Sequence, residues 1–257
     1  MIGLKVEDAI KLNNELKKYS YYKNGKLRLD FKNKECIRQY NKTLLKHIFN
    51  IDLTIHKDAL VPTPLSRYLF IKTVFDKYPN IKKVLEVGSG SGIIALMIKK
   101  YYNCEVDATE TVDDYIKIIE ENSIKNSLKI NIIPSNGRIL DGINYLKNKK
   151  YDLIISYPPY YAPNSVPSKK SFGGAYAKKV ELIGGGKYGE GFSVKLIEES
   201  PKYLSDNGVI ALMLPEKTEE RRLKIIESME KLFNVNVEKI KTGKRTRYII
   251  TGQLKKD

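Results

Sequence analysis

The pattern of apolar and polar positions changes at about residue 81. From Ile81 onward, short β-branched runs alternate with longer amphipathic stretches, the signature of βαβ units. Residues 84–87, 105–109, 130–133, 152–156 and 209–214 read as successive strands, each closed by Gly, Asn, Asp or Pro. Between and after them, residues 92–101, 113–126, 138–148, 192–204 and 219–233 carry apolar side chains at spacings of three and four. Each therefore predicts a helix that buries one stripe against a sheet. The alternation predicts an α/β fold with a mostly parallel sheet. Residues 235–240 and 248–254, joined by a segment holding Gly243, predict an antiparallel hairpin that closes one sheet edge. Residues 1–80 read as mainly helical, most clearly at 37–49, and no internal repeat or low-complexity tract interrupts the chain.

Composition narrows this picture. A chain of 257 residues with 42% hydrophobic content buries a substantial core, enough for one large α/β domain with a small appendage, which excludes wholesale disorder. Two cysteines, Cys36 and Cys104, exclude a disulfide scaffold and lead to the expectation of a reduced, cytoplasmic setting. No run approaches the roughly 18 apolar residues of a membrane helix. The charged N-terminus lacks the apolar core of a signal segment, so the expectation is a soluble, unprocessed chain with no membrane partner. Lys+Arg of 46 against Asp+Glu of 30 gives +16. The excess gathers at the two ends, 13 basic to 7 acidic over residues 1–60 and 12 to 6 over 217–257. A polyanionic partner would release counterions on binding such a chain, although the same bias also accompanies A·T-rich genomes and heat adaptation.

Two segments carry candidate chemistry. Glu86-Val-Gly88-Ser89-Gly90-Ser-Gly92 follows a strand and opens a helix, where glycines let backbone N–H groups approach a ligand. The next strand ends in Ala108-Thr109-Glu110, placing a carboxylate where it can accept ribose hydroxyls. The Gly-x-Gly-x-Gly spacing with its leading Glu resembles the S-adenosylmethionine turn of Rossmann-like methyltransferases rather than a dinucleotide turn. Glu86 is expected to order that turn or face the cofactor's sulfonium, and Asn136-Gly137-Arg138 to wall the adenine, unless it is a plain helix start. The second segment, Ser156-Tyr157-Pro158-Pro159-Tyr160-Tyr161, ends the fourth strand of the sheet at the edge where doubly wound sheets bind ligands. Its prolines fix a rigid turn, and an aromatic beyond them gives a base a face to stack on.

That turn resembles the Asn/Asp/Ser-Pro-Pro-aromatic motif of amino methyltransferases, in which the first side chain and the first Pro carbonyl accept the N–H bonds of the nitrogen to be methylated. Tyr157 occupies the first position here, and Ser156 lies one residue too early. Three readings stay open: the phenol does the accepting, the nitrogen is not adenine N6, or activity is lost.

Across nearly all of the chain from Leu27, the sequence resembles the RNA adenine-N6 methyltransferase family of methyltransferase-like protein 16 and bacterial RlmF. Leu27-Arg-Leu-Asp-Phe, Leu44 to Leu53, Leu60 to Leu69, Ala108-Thr-Glu110, Tyr157-Pro-Pro-Tyr160, Gly173-Gly174, Glu181, Gly185-Gly186, Phe192, Gly243 and Arg247-Tyr248 carry the likeness. The resemblance implies a Rossmann-like class I methyltransferase with a basic, mainly helical RNA-binding module at 1–60. The catalytic domain is then 61–257, with a substrate loop at 162–191. It implies S-adenosyl-L-methionine as cofactor, held by Arg67 at its carboxylate and by Glu86, Gly88, Ser89, Gly90, Gly92, Thr109, Glu110, Asn136 and Ser156. Catalysis falls to Tyr157, Pro158, Pro159 and Tyr160, with no metal. The partner implied is a structured RNA, ribosomal or small non-coding, and the activity is that of a transferase in RNA methylation and rRNA processing. The 162–191 connector is too long for an ordinary βα loop. Lys169, Lys170, Lys178 and Lys179 on it, with Arg245 and Arg247, are expected to meet RNA phosphates. Two rival readings are a non-catalytic cofactor- or RNA-binding protein, and a methyltransferase acting on a protein glutamine amide.

Overall fold

The computed structural model describes residues 3–166, 179–243 and 245–255. Strands β3 (Lys83–Val87), β4 (Glu105–Glu110), β5 (Asn131–Pro134), β6 (Tyr151–Ser156) and β7 (Leu204–Pro215) run parallel. β8 (Phe233–Thr242) and β9 (Arg245–Leu254) form the antiparallel hairpin, giving the order β5-β4-β3-β6-β7-β9-β8. Adjacent side chains point to opposite faces, and the core divides accordingly. Val84, Leu153, Ile155, Val209, Ala211 and Met213 join one cluster with helices α3 (Pro64–Lys77) and α4 (Ile93–Tyr102). Leu85, Val87, Ile154, Ile210, Leu212 and Leu214 join the other with α7 (Gly191–Glu199) and α8 (Glu219–Glu230). After β3 the chain moves outward through β4 and β5, then returns to β6 on the other side of β3. The β3 and β6 tips thus form a topological switch point, where a crevice opens between diverging connections.

The fold corrects one sequence expectation and adds one element that the apolar pattern does not announce. Residues 138–148 form no α-helix, only a short 3₁₀ turn at Asn144–Leu146. Glu199 Oε2 accepts from the Leu140 and Asp141 N–H groups at 2.8 Å each, and Gly142 turns with φ 81°. A carboxylate from a distant helix has taken donors that an α-helix would direct at its own carbonyls. The added element lies in the N-terminal part, which is otherwise mainly helical as expected. Between α1 (Val6–Leu12) and α2 (Lys34–Ile48) stands a β-hairpin, β1 (Ser20–Lys23) and β2 (Lys26–Leu29), turning at Asn24-Gly25 with both φ positive. Asn-Gly is the dipeptide such a two-residue turn requires.

Ala9, Leu16, Leu29 and Cys36 form a small cluster of their own, whereas Leu44, Leu45, Phe49, Ile51, Leu53, Ile55 and Ala59 join the main core. The extended stretch after α2 is held by α5 (Asp113–Lys125). Asn126 exchanges two bonds with the Asp52 backbone, and Asn122 exchanges two with the Thr54 backbone and adds one to the Ser91 carbonyl at 3.0 Å. Both cysteines are buried and unpaired, and burial pushes the Cys36 thiol up to about 11. None of the described helices is long and apolar enough to cross a membrane.

Candidate active site

Gly88, Gly90 and Gly92 adopt φ of 75°, 59° and 78°, the left-handed region that favours glycine. At Gly88 and Gly90 nothing lies within 4 Å of where a Cβ would stand, so the backbone there faces an open cleft. At Gly92 a Cβ would meet Ile119 Cγ2 at 2.9 Å, so this glycine serves the closure of α4 on α5. The turn is fastened to β4. Gly88 and Ser89 N–H donate to the Thr109 carbonyl at 3.1 Å, and Gly90 N–H donates to Glu110 Oε2 at 2.7 Å. Glu110 Oε1 accepts from Thr111 and Val112 N–H at 2.8 and 3.0 Å. Three donors leave one of a carboxylate's roughly four acceptor positions for a ligand.

Glu86 lies beneath the turn, 2% exposed. Its Oε2 accepts from the Ala95 N–H at 3.0 Å, capping the first turn of α4 from the preceding strand. Burial pushes its carboxyl up to about 8, against the opposing pull of the Ala95 bond and the Ser89 hydroxyl. Arg67, from α3, approaches the same end of the cleft. Its Nη1 donates to Ser66 Oγ at 3.2 Å, and it forms no salt bridge among the described residues. Burial lowers its guanidinium pKa to about 10.

The β6 tip emerges beside this turn. Glu86 pairs with Ile155, and Ser156 Oγ donates to the Val87 carbonyl at 2.8 Å, which sets Tyr157 level with Gly88. The two prolines then carry the chain to Tyr160 and Tyr161, whose rings lie 4.6 Å apart at 38°. Behind the turn runs the far end of the 162–191 connector. Tyr160 and Tyr161 N–H donate to the Leu182 carbonyl at 3.2 and 2.8 Å, and Gly184 N–H donates to the Tyr161 carbonyl at 3.0 Å. A Cβ on Gly184 would stand 2.5 Å from the Pro159 carbonyl oxygen, and one on Gly189 would overlap the Tyr160 carbonyl. The glycines therefore let one backbone lie directly against another. Glu181, on α6 (Lys179–Leu182), clasps this connector to the rest: it accepts from Leu60 N–H at 3.2 Å and from the Tyr115 hydroxyl at 2.9 Å.

Arg67, Glu86, Gly88, Ser89, Gly90, Thr109, Glu110, Tyr157, Pro158, Pro159 and Tyr160 line one cleft of about 1630 Å³. Gly92 and Ser156 are buried behind its wall, Ser156 with its hydroxyl committed to the β3–β6 seam. Asn136 is exposed, and the wall at that place is made by Ser135, Gly137, Arg138 and Ile139. Arg245 lines the cleft at its rim. Arg247 is 5% exposed and turned inward, with bonds to Tyr157 and Thr242 rather than a free guanidinium on the surface. Lys179 is exposed on α6, and Lys169, Lys170 and Lys178 fall outside the described residues, as does the Gly173-Gly174 pair. Among the described residues no group of three His, Cys, Asp or Glu is placed to hold a metal ion.

Sequence reasoning passed over Arg221. This residue of α8 is 3% exposed, donates from Nη1 to the Tyr160 carbonyl at 2.7 Å and from Nη2 to the Lys217 carbonyl, and sets its guanidinium 5.2 Å from the Tyr160 ring centre. The available signal was its spacing: Arg221, Ile225 and Met229 share the buried face of the helix, so a charge sits on an apolar stripe.

The residues fit the expected cofactor. Open backbone at Gly88 and Gly90 suits the close approach of a nucleoside, and Glu110 has acceptor capacity for ribose hydroxyls. The Arg67 guanidinium lacks the carboxylate that a methionine moiety carries. The cleft also exceeds the roughly 300–1,000 Å³ of a small-molecule pocket, leaving room for a second ligand against Tyr160. Its rim is basic, with Lys32, Lys34, Lys187, Lys195, Lys217 and Arg245.

Comparison with known proteins agrees with this geometry. An RNA methyltransferase family model matches residues 6–172. MJ0046 of Methanocaldococcus jannaschii, whose designation as a methyltransferase is itself provisional, is 56% identical over 98% of this chain and 99% of its own length. A release factor glutamine methyltransferase of Clostridium acetobutylicum is 29% identical over 77% of this chain and 67% of its own. The U6 small nuclear RNA (adenine-(43)-N(6))-methyltransferase of Caenorhabditis elegans is 29% identical over 57% of this chain and 33% of its own. Among solved structures, a methyltransferase from Pyrococcus furiosus superposes with TM-score 0.69 at 32% identity, over 85% of this chain and 96% of its own. The human METTL16 catalytic domain, solved with a MAT2A 3′UTR hairpin, superposes with TM-score 0.85 at 20% identity, over 99% of this chain and 92% of its own. With the Gly-rich tip of β3 and the Pro-Pro tip of β6 opening on one cleft, the chain belongs to the RNA methyltransferase family, and its methyl donor is S-adenosylmethionine.

Proposed function

We propose that this chain methylates an exocyclic base nitrogen in a structured RNA, with adenine N6 the target, and that the cleft between β3 and β6 holds donor and base together. The observation that carries the reading is the register of these strands: with Glu86 opposite Ile155 and Ser156 bonded to Val87, the donor turn and the Pro-Pro turn cannot separate. The donor lies across Gly88, Gly90 and Glu110 and supplies an electrophilic methyl carbon. On the acceptor side, the Pro158 carbonyl receives an N–H of the target amine, and no bond from another described residue competes for it. The base stacks on Tyr160, which Arg221 fixes from behind. When bound there, the donor would supply the methyl group and leave as a neutral thioether, while the acceptor residues hold the amine so that its lone pair faces the donor side and its proton can pass to water.

The basic rim, together with Lys169, Lys170, Lys178 and Lys179 on the connector and the Lys-rich module at residues 1–60, grips phosphates and orients the duplex around the base. A ribosomal or small non-coding RNA in the cytoplasm is the proposed substrate. A second reading, transfer to a protein glutamine amide, is favoured by the likeness to release factor glutamine methyltransferases. Both nitrogens are planar and present N–H bonds to the same carbonyl. Incubating the protein with methyl-labelled donor and either total RNA or total protein, followed by nucleoside and amino-acid analysis, separates the readings. Label in N6-methyladenosine is expected. Label confined to methylglutamine, or to another nucleoside, overturns the adenine assignment.

A further inference from the structure

Tyr157 stands between two arginines. On one side the Arg67 guanidinium carbon lies 4.3 Å from the centre of its ring. On the other, Arg247 Nε donates to its hydroxyl oxygen at 3.4 Å. The arginines differ in how they are held. Arg247 is anchored on the C-terminal hairpin, its Nη1 donating to Thr242 Oγ1 at 3.0 Å. Arg67 has the Ser66 hydroxyl as its hydrogen-bond partner and is otherwise seated on the aromatic face. A guanidinium has several long torsions, and one enclosed with a single hydrogen bond takes its aim from whatever flat surface lies beneath it.

We propose that Tyr157 is a positioning residue for the methyl donor: its ring seats Arg67 toward the donor's carboxylate, while Arg247 steadies the ring through its hydroxyl. This rests on the methyl-donor reading of the cleft. It accounts for a phenol where related turns carry a short amide, because an amide offers no π face. It also assigns the two halves of the turn different duties. Tyr157 serves the donor, and the Pro158 carbonyl alone fixes the N–H of the acceptor. The depressed guanidinium pKa agrees with a cation held in an enclosed place by a ring rather than by a carboxylate partner.

Titration calorimetry with S-adenosylhomocysteine tests the idea without catalysis or RNA. Tyr157→Phe keeps the ring and loses only the long bond to Arg247, so its affinity is expected within about threefold of the unmodified protein. Tyr157→Leu and Tyr157→Asn remove the π face and are expected to weaken binding roughly tenfold, about 1.4 kcal/mol. Arg67→Gln is expected to weaken binding at least as much, and adding Tyr157→Leu to it should cost nothing further, because a ring that acts through Arg67 has nothing left to hold. Thermal melts accompany each protein, and should the Leu variant not fold, the Asn variant carries the same comparison. Leu and Asn variants that bind as the unmodified protein does, or losses that add in full with Arg67→Gln, overturn the proposal. Failure of the unmodified protein to bind S-adenosylhomocysteine at all removes the donor reading itself, a result distinct from any pattern among the variants.

Discussion

The two tips that meet in the cleft are built in opposite ways. The β3 turn is held by its immediate neighbour: the Thr109 carbonyl and the Glu110 carboxylate, both at the end of the adjacent strand, take the N–H groups of Gly88, Ser89 and Gly90. The β6 turn is held by residues far away in the chain. Arg221 reaches the Tyr160 carbonyl, Arg247 the Tyr157 hydroxyl, and Gly184 and Gly189 supply a backbone wall. A donor that is the same in every reaction is served by a local device. The turn from Pro158 onward, the proposed acceptor side, draws on the connector and α8 and can change without disturbing the glycine turn, whereas Tyr157, contacted by the C-terminal hairpin, is the point the two tips share.

The largest test of that contrast is Gly189→Ala. A Cβ there collides with the Tyr160 carbonyl at φ 90°, where a side chain is strained in any case. Overpacking plus strain should cost roughly 3 kcal/mol, lowering the melting temperature by on the order of 10 °C. Methyl transfer should fall by at least about a hundredfold, while S-adenosylhomocysteine still binds the folded fraction. Next comes Arg221→Met, which keeps the aliphatic length and leaves the Tyr160 and Lys217 carbonyls unpaired. Losing charge-assisted bonds of this kind costs about 2 kcal/mol, and a drop in kcat of roughly tenfold or more is expected with donor affinity within about twofold. Equal losses in donor affinity would show that the tips are not separable.

The last test, whose effect accrues gradually over about three pH units, concerns the donor side. Glu86 has an ordinary pKa of 4.5 that burial raises to about 8 in the fold. Between those values the folded protein holds a proton that the unfolded chain has lost, so this group's contribution to stability is full below about 4.5 and is lost as pH rises through about 8. Urea unfolding of the donor-free protein should show stability declining by up to a few kcal/mol from pH 5 to pH 8. Glu86→Gln, which keeps an acceptor for the Ala95 N–H, should flatten that decline. An identical pH profile in both proteins would place the cause elsewhere.

The same contrast governs what the sequence discloses. Alternating β-branched runs announced β3 to β7, because burial on both faces leaves a continuous apolar mark, and the Gly-rich turn with Glu110 was legible because its partners are near neighbours in sequence. The helix expected at 138–148 failed because its donors go to Glu199, nearly sixty positions away, which no local period encodes. The β1–β2 hairpin was overlooked although Asn24-Gly25 advertises it, since short polar strands carry little apolar alternation. Arg221 and the inward turn of Arg247 share one reason for escaping notice. A cationic residue is read as solvated unless its stripe is examined, and only the fold brings either guanidinium to a carbonyl or a phenol 61 and 90 positions away.

The amide pair at the C-terminal end of α5, Asn122 in its last turn and Asn126 at its cap, gives the molecule a mechanical property. Asn122 and Asn126 treat the extended stretch at Asp52 and Thr54 as a neighbouring strand would, and Asn122 spends its remaining hydrogen on Ser91 in the donor turn. A tether that joins the stretch after α2 to the glycine turn in this way couples the two segments. By reciprocity, whatever an ordered Asp52–Thr54 stretch contributes to donor binding through this tether, a bound donor contributes equally to the order of that stretch.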